Sequence, residues 1–117
     1  MSGSVSYHSG LVAEDSVARD YARRGLSIAG RRWRGRGGEI DLIARDGDGL
    51  VFIEVKKSRD FTRAAQRVSN RQMERVMMAA TEFVADEPRG QLTEMRFDVA
   101  LVDGLGRIEI LENAFAA

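Results

Sequence analysis

The chain has 117 residues, 44% of them hydrophobic and 31% charged, with a single proline, Pro88, and no cysteine. That length and balance fit one globular domain and exclude disulfides, a Cys/His zinc site and a collagen-like or wholly disordered chain. Net charge is zero, yet residues 1 to 75 carry 15 Lys and Arg against 10 Asp and Glu, while residues 76 to 117 carry 3 against 8. An anionic partner is therefore expected on the first part.

Residues 1 to 9 read as a disordered N-terminus, and residues 10 to 117 as one domain. The opening segment lacks the apolar core of a signal peptide, and no apolar run reaches the roughly 18 residues that span a bilayer. A cytoplasmic protein with no membrane partner is expected. His8 is the only histidine, so a Ser-His-Asp triad is not expected, and hydrolytic chemistry would rest on carboxylates, lysine and a hard metal ion.

A first helix is expected from about Leu11 to Arg24, with Leu11, Val17, Ala18, Tyr21 and Ala22 on its apolar stripe and Gly25 as its stop. Glu14 lies on the inner side of that stripe. It reads either as a first-turn carboxylate that suits the helix dipole or as an acid reaching a site. Leu26, Ile28 and Trp33 suggest an extended segment. Arg31, Arg32, Arg34 and Arg36 then alternate with Trp33, Gly35, Gly37 and Gly38 in a stretch suited to phosphate, because guanidinium forks match phosphate oxygens and glycines allow close backbone approach. Trp33 reads as core packing in preference to a stacking platform.

Two strands follow, 38 to 43 and 51 to 56, joined by the turn Asp46-Gly47-Asp48-Gly49. A tight turn centred on Gly47-Asp48 makes partners of residues whose numbers sum to 95. Asp41 then faces Glu54, and Glu39 faces Lys56, with cross-strand Cβ atoms about 4.5 to 5.5 Å apart. Opposed like charges destabilise a sheet, whereas a divalent metal needs hard oxygen ligands from one or two carboxylates. Lys56 adds to this reading, because only two of the 18 cations are lysines and lysine can shift its pKa for chemistry where arginine effectively cannot.

Residues 57 to 67 read as a polar connection. A second helix is expected from near Ser69 to before Pro88, with Met73, Val76, Met77, Ala80, Phe83 and Val84 buried, and with Arg67, Arg71 and Arg75 in a row that could hold a phosphate backbone. Ser69 and Gln72 satisfy the capping-box pattern, which is preferred for Gln72 over a role in the site. Residues 95 to 102 alternate as a third main strand, in which Asp98 reads as a partly exposed or Arg-paired structural acid. A last strand is expected around 107 to 111.

The segments 38 to 43, 51 to 56 and 96 to 99, preceded by a helix bearing Glu14, resemble the YraN family of small bacterial proteins, over about Gly10 to Leu111. The resemblance implies an α/β restriction-endonuclease-like core: a mixed sheet with a central hairpin flanked by two main helices, and a PD-(D/E)XK active site similar to that of archaeal Holliday junction resolvases. It makes Asp41 and Glu54 the metal-binding acids, Lys56 the signature lysine and Glu14 the helix-one acid, and it places Gln72 where relatives carry a helix Lys or Gln. Ile40 stands where the motif's proline would, and Lys57-Ser58 and Phe61-Thr62 depart from the usual following residues.

The expected activity is that of a Mg2+- or Mn2+-dependent endonuclease or structure-specific DNA-processing enzyme. Asp41, Glu54, the Val55 carbonyl and Glu14 would hold the metal. Lys56 would act at the attacking water, and the arginines would position nucleic acid, single-stranded or branched, for a monomer or a homodimer. The alternatives are a nucleic-acid-binding module without turnover and a protein-interaction domain. Glu39 reads as the partner of Lys56 or a support for the loop.

Overall fold

A computed structural model of the chain describes the backbone of residues 2–115 and the side chains of residues 10–115; the segment 1 to 9 expected to be disordered lies outside the residues described in full. The elements in order are α1 (Ser2–Arg23), β1 (Ser27–Arg34), β2 (Glu39–Asp46), β3 (Gly49–Lys57), α2 (Phe61–Gln66), α3 (Asn70–Val84), a short 3-10 turn (Gly90–Leu92), β4 (Met95–Val102) and β5 (Ile108–Leu111). Helix α1 closes where expected. Gly25 takes φ +94°, and the Leu26 and Gly25 N–H groups donate back to the carbonyls of Tyr21 and Ala22, the paired bonds of a Schellman stop.

The strands form one sheet in the order β1-β2-β3-β4-β5. Only β3 and β4 are parallel, joined by the crossover that carries α2 and α3; β1–β2, β2–β3 and β4–β5 are antiparallel. The hairpin pairs from Leu42↔Ile53 to Asp46↔Gly49, which is the register that the turn implied. Gly47 at φ +60° supplies the left-handed residue such a tight turn needs.

Each face of the sheet buries one main helix. Ala13, Val17, Ala18 and Tyr21 of α1 pack on Leu42, Ala44, Val51, Ile53 and Ala100. On the other face, Met73, Val76, Ala79, Ala80 and Val84 of α3 pack on Ile43, Leu50, Phe52 and Phe97. The fold is mixed α/β, with a mixed five-stranded sheet and helices on both faces. No described helix is long and apolar enough to cross a membrane.

Two details correct the sequence reading. The connection expected to be irregular contains α2, started by Asp60, whose carboxylate accepts the Arg63 N–H at 2.8 Å. Arg67 ends α2 as its C-cap and so does not share a helical row with Arg71 and Arg75. The cause is Ser69, whose extended backbone (φ −113°, ψ 150°) breaks the helical run before its hydroxyl caps α3 through the Gln72 N–H.

Candidate functional site

The last pair of the β2–β3 ladder is Leu42↔Ile53, and Asp41 and Glu54 occupy the next step, at the open end of the hairpin. Strand β2 rotates there: Leu42 and Ala44 face α1, whereas Ile40 joins Ile43 on the α3 side. Strict alternation therefore fails across Asp41. Its Oδ2 accepts the Val55 N–H at 2.8 Å, doing for β3 what a ladder carbonyl would otherwise do. Glu54 is only 3% exposed. Its Oε2 accepts from Gln72 Nε2 at 2.5 Å and lies 3.1 Å from Lys56 Nζ, and the Asp41 and Glu54 carboxyl groups are themselves within hydrogen-bonding reach.

Burial dominates the electrostatics. It raises the Asp41 carboxyl to about 7, with the negative charge of Glu54 as the next cause. Glu54 is also raised by burial, while Lys56 pulls it back. Two carboxyls this close in a largely dehydrated site cannot both ionise cheaply, so the pair holds on to a proton.

Glu14 stands apart from this pair. Arg32 grips it in a fork, Nε to Oε1 at 2.9 Å and Nη2 to Oε2 at 3.2 Å; burial nonetheless raises its carboxyl, with Asp41 adding to the effect. Among the described residues, no group of three or more His, Cys, Asp or Glu is placed to hold a metal ion, so Glu14 is not assembled with Asp41 and Glu54 as a third ligand. The donors left are two carboxylates and the Val55 carbonyl. Hard oxygens of that kind suit Mg2+ or Mn2+, which keep waters in their other positions.

Glu39 does not meet Lys56. It lies beyond the β2–β3 ladder and opposite Arg34 of β1, to which it is ion-paired at 3.2 Å, while Lys56 folds back along its own strand to Glu54. Gln72 also departs from expectation. Its N–H is capped by Ser69, but its side chain turns inward to Glu54 and does not close a capping box.

The stretch expected to bind phosphate is largely satisfied from within. Arg31 pairs with Asp15 at 3.1 Å, Arg32 with Glu14 and Arg34 with Glu39. The glycines admit helix α3: a Cβ on Gly37 would lie 2.8 Å from Met78 Cβ, and one on Gly38 2.9 Å from Arg75 Cβ. Glu82 accepts the Gly37 N–H at 3.0 Å and also bonds the Arg36 backbone N–H, so a carboxylate already sits in the backbone nest that an anion would use. Trp33 packs edge-on against Phe83 at 5.4 Å, as core. Arg36 is exposed. Arg71 and Arg75 are exposed on α3, with no ion-pair partner among the described residues.

One feature was not read from the sequence. A cleft of about 550 Å³ opens beside the acid pair, with Glu14 and Val55 on its walls and Lys56, Lys57, Arg59 and Arg67 supplying its cations. The signal was the unbroken run Lys56-Lys57-Ser58-Arg59. Only the return of α1 and of the β4–β5 turn makes that run one wall of a concavity.

The family model of the uncharacterised protein family UPF0102 matches residues 13–102, a span that includes Glu14, Asp41, Glu54, Lys56 and Gln72. A UPF0102 protein of Cereibacter sphaeroides strain KD131 is 66% identical over 117 residues, covering all of both chains. One from Ruegeria pomeroyi is 65% identical over 113 residues, 97% of this chain and 92% of its own. Another from Dinoroseobacter shibae is 47% identical over 111 residues, 95% of this chain and 83% of its own.

Proposed function

The chain belongs to the uncharacterised protein family UPF0102, the YraN family, and we propose that it is a metal-dependent phosphodiesterase with a restriction-endonuclease-like core that cuts nucleic acid, DNA above all. The observation that carries this reading is the pairing of half-buried Asp41 with buried Glu54, with Lys56 beside it. Burying two carboxyls together costs stability, and a chain needing only a sheet could place apolar residues there. Parallel β3–β4, the hairpin and a helix on each face support the nuclease-like core.

Asp41, Glu54 and the Val55 carbonyl would hold Mg2+ or Mn2+, which supplies an activated water and offsets charge on the phosphate. Gln72 fixes the Glu54 carboxylate by its hydrogen bond. Lys56, with its ammonium 3.1 Å from Glu54, is placed to orient the attacking water or to counter charge as it develops on the phosphate oxygens. The pair must give up its proton for both acids to act as ligands, so cation binding strengthens as pH rises through about 7.

A second reading, a nucleic-acid-binding module without turnover, draws on one observation: Lys56 and Gln72 already hold Glu54, and the Val55 N–H already holds Asp41. Cleavage assays with Mg2+ or Mn2+ on junction, flap, single-stranded and duplex DNA separate the two. Metal-dependent cleavage that disappears in Asp41→Asn and in Glu54→Gln is expected. Cleavage that survives either substitution, or none on any substrate, overturns the hydrolytic reading.

A further inference from the structure

We propose that the cleft at the carboxyl ends of β3 and β4 is the track for the phosphodiester backbone, held through its phosphates without contact to base faces, and that the β1 arginines take no part in it. This rests on the nucleic-acid reading above and assigns it a binding surface. In open α/β sheets ligands gather outside the carboxyl ends of parallel strands, and β3 and β4 are the parallel pair.

The cationic wall is held in place by main-chain bonds. The Ser58 N–H donates to the Val102 carbonyl at 3.0 Å, the Gly104 N–H to the Arg59 carbonyl at 3.1 Å, and Arg67 Nη1 to the Lys57 carbonyl at 2.7 Å. Gly104 eases this closeness, since a Cβ there would stand 3.2 Å from the Arg59 oxygen and press it back by a few tenths of an ångström. Of the residues lining the cleft, four are cations and one is an acid, Glu14, itself held by Arg32, while Lys56 already pairs with Glu54. None of the described residues lining it is aromatic, so those residues offer the strand no stacking platform and attract it through its phosphates. Continuity with the site comes from two residues: Lys56 and Val55 line the cleft and also contact Glu54 and Asp41.

The test is fluorescence anisotropy of the full chain with labelled oligo(dT) and oligo(dA) of equal length, in EDTA and over a range of salt. Dissociation constants for the two strands are expected to agree within about threefold. Arg59→Ala, whose side chain is exposed, is expected to weaken binding about fivefold and to reduce the log–log salt slope by about 0.7, one single-strand phosphate contact. Arg34→Ala is expected to match wild type within about twofold. A wild-type chain that does not bind, an unchanged Arg59→Ala, a larger gap between the strands, or loss of binding in Arg34→Ala each overturns the proposal. Because EDTA removes divalent cations, a chain that binds in this pattern but cuts nothing keeps the track and rejects hydrolysis. A chain that cuts but ignores Arg59 does the reverse.

Discussion

Two acidic centres sit in the same sheet, and they are built on opposite principles. Asp98 is fully buried and accepts from Tyr21 OH at 2.7 Å, from Arg96 at 2.9 and 3.0 Å and from the Asn113 N–H at 2.9 Å. One carboxylate meets one guanidinium, and the donors come from α1, β4 and the segment after β5. Burial keeps the Tyr21 hydroxyl protonated by raising its pKa, so it remains a donor. At the open end of the hairpin, two carboxyls meet one ammonium, one amide and one backbone N–H. The first centre is a balanced staple, and the second holds a surplus of acid that only a proton or a cation can relieve.

The largest effect that would break this contrast is at Asp98. Asp98→Ala leaves Arg96 facing an emptied interior and is expected to lower unfolding free energy by about 3 to 5 kcal/mol in a urea titration; a loss below about 1 kcal/mol would show that the staple holds nothing. Next comes the cation. At 100 times its dissociation constant, Mg2+ or Mn2+ is expected to stabilise the wild type at pH 8 by about 2.7 kcal/mol, read as a rise in Tm, and to leave Asp41→Asn unmoved. An equal rise in both proteins would place the metal elsewhere.

The pH effect is smaller and has a definite sign. A carboxyl whose pKa is higher in the folded chain than in the unfolded one binds its proton more tightly when folded. Its contribution is full below the ordinary carboxylate range and is lost as pH rises through about 7, the value for Asp41. Without divalent metal, wild type is expected to lose about 1 to 3 kcal/mol relative to Asp41→Asn between pH 4 and pH 8. Parallel stability curves for the two proteins would deny the shared proton. Smallest of all, Arg34→Ala removes an exposed ion pair with Glu39 and is expected to cost no more than about 1 kcal/mol; a larger loss in thermal melts would make β1 a structural centre in its own right.

Much of this was legible in the residues. A two-residue turn carrying Gly47 and flanked by apolar alternation permits only one hairpin register that buries both strands, so the meeting of Asp41 with Glu54 follows from the order of the residues alone. The Ser69 cap and the Gly25 stop are local, and they were readable for the same reason. The fate of Gln72 was not. A capping pattern specifies where its N–H goes and is silent about a side chain long enough to reach another element.

The arginines and glycines mark where local reading ends. Arg31, Arg32, Gly37 and Gly38 have the composition of a phosphate loop, but Asp15 and Glu14 arrive from α1 to pair with the two arginines, and α3 arrives with Glu82, Met78 and Arg75 against the glycines. By itself, then, the sequence determined the strands, the two main helices, the hairpin register and the two acids with their lysine, because each follows from periodicity or from neighbours a few residues apart. Only the tertiary structure decided which charge is answered by which. It paired Arg31, Arg32 and Arg34 with acids and gathered Lys56, Lys57, Arg59 and Arg67 on one cleft, because ion pairs and clefts depend on distances between segments that share no local pattern.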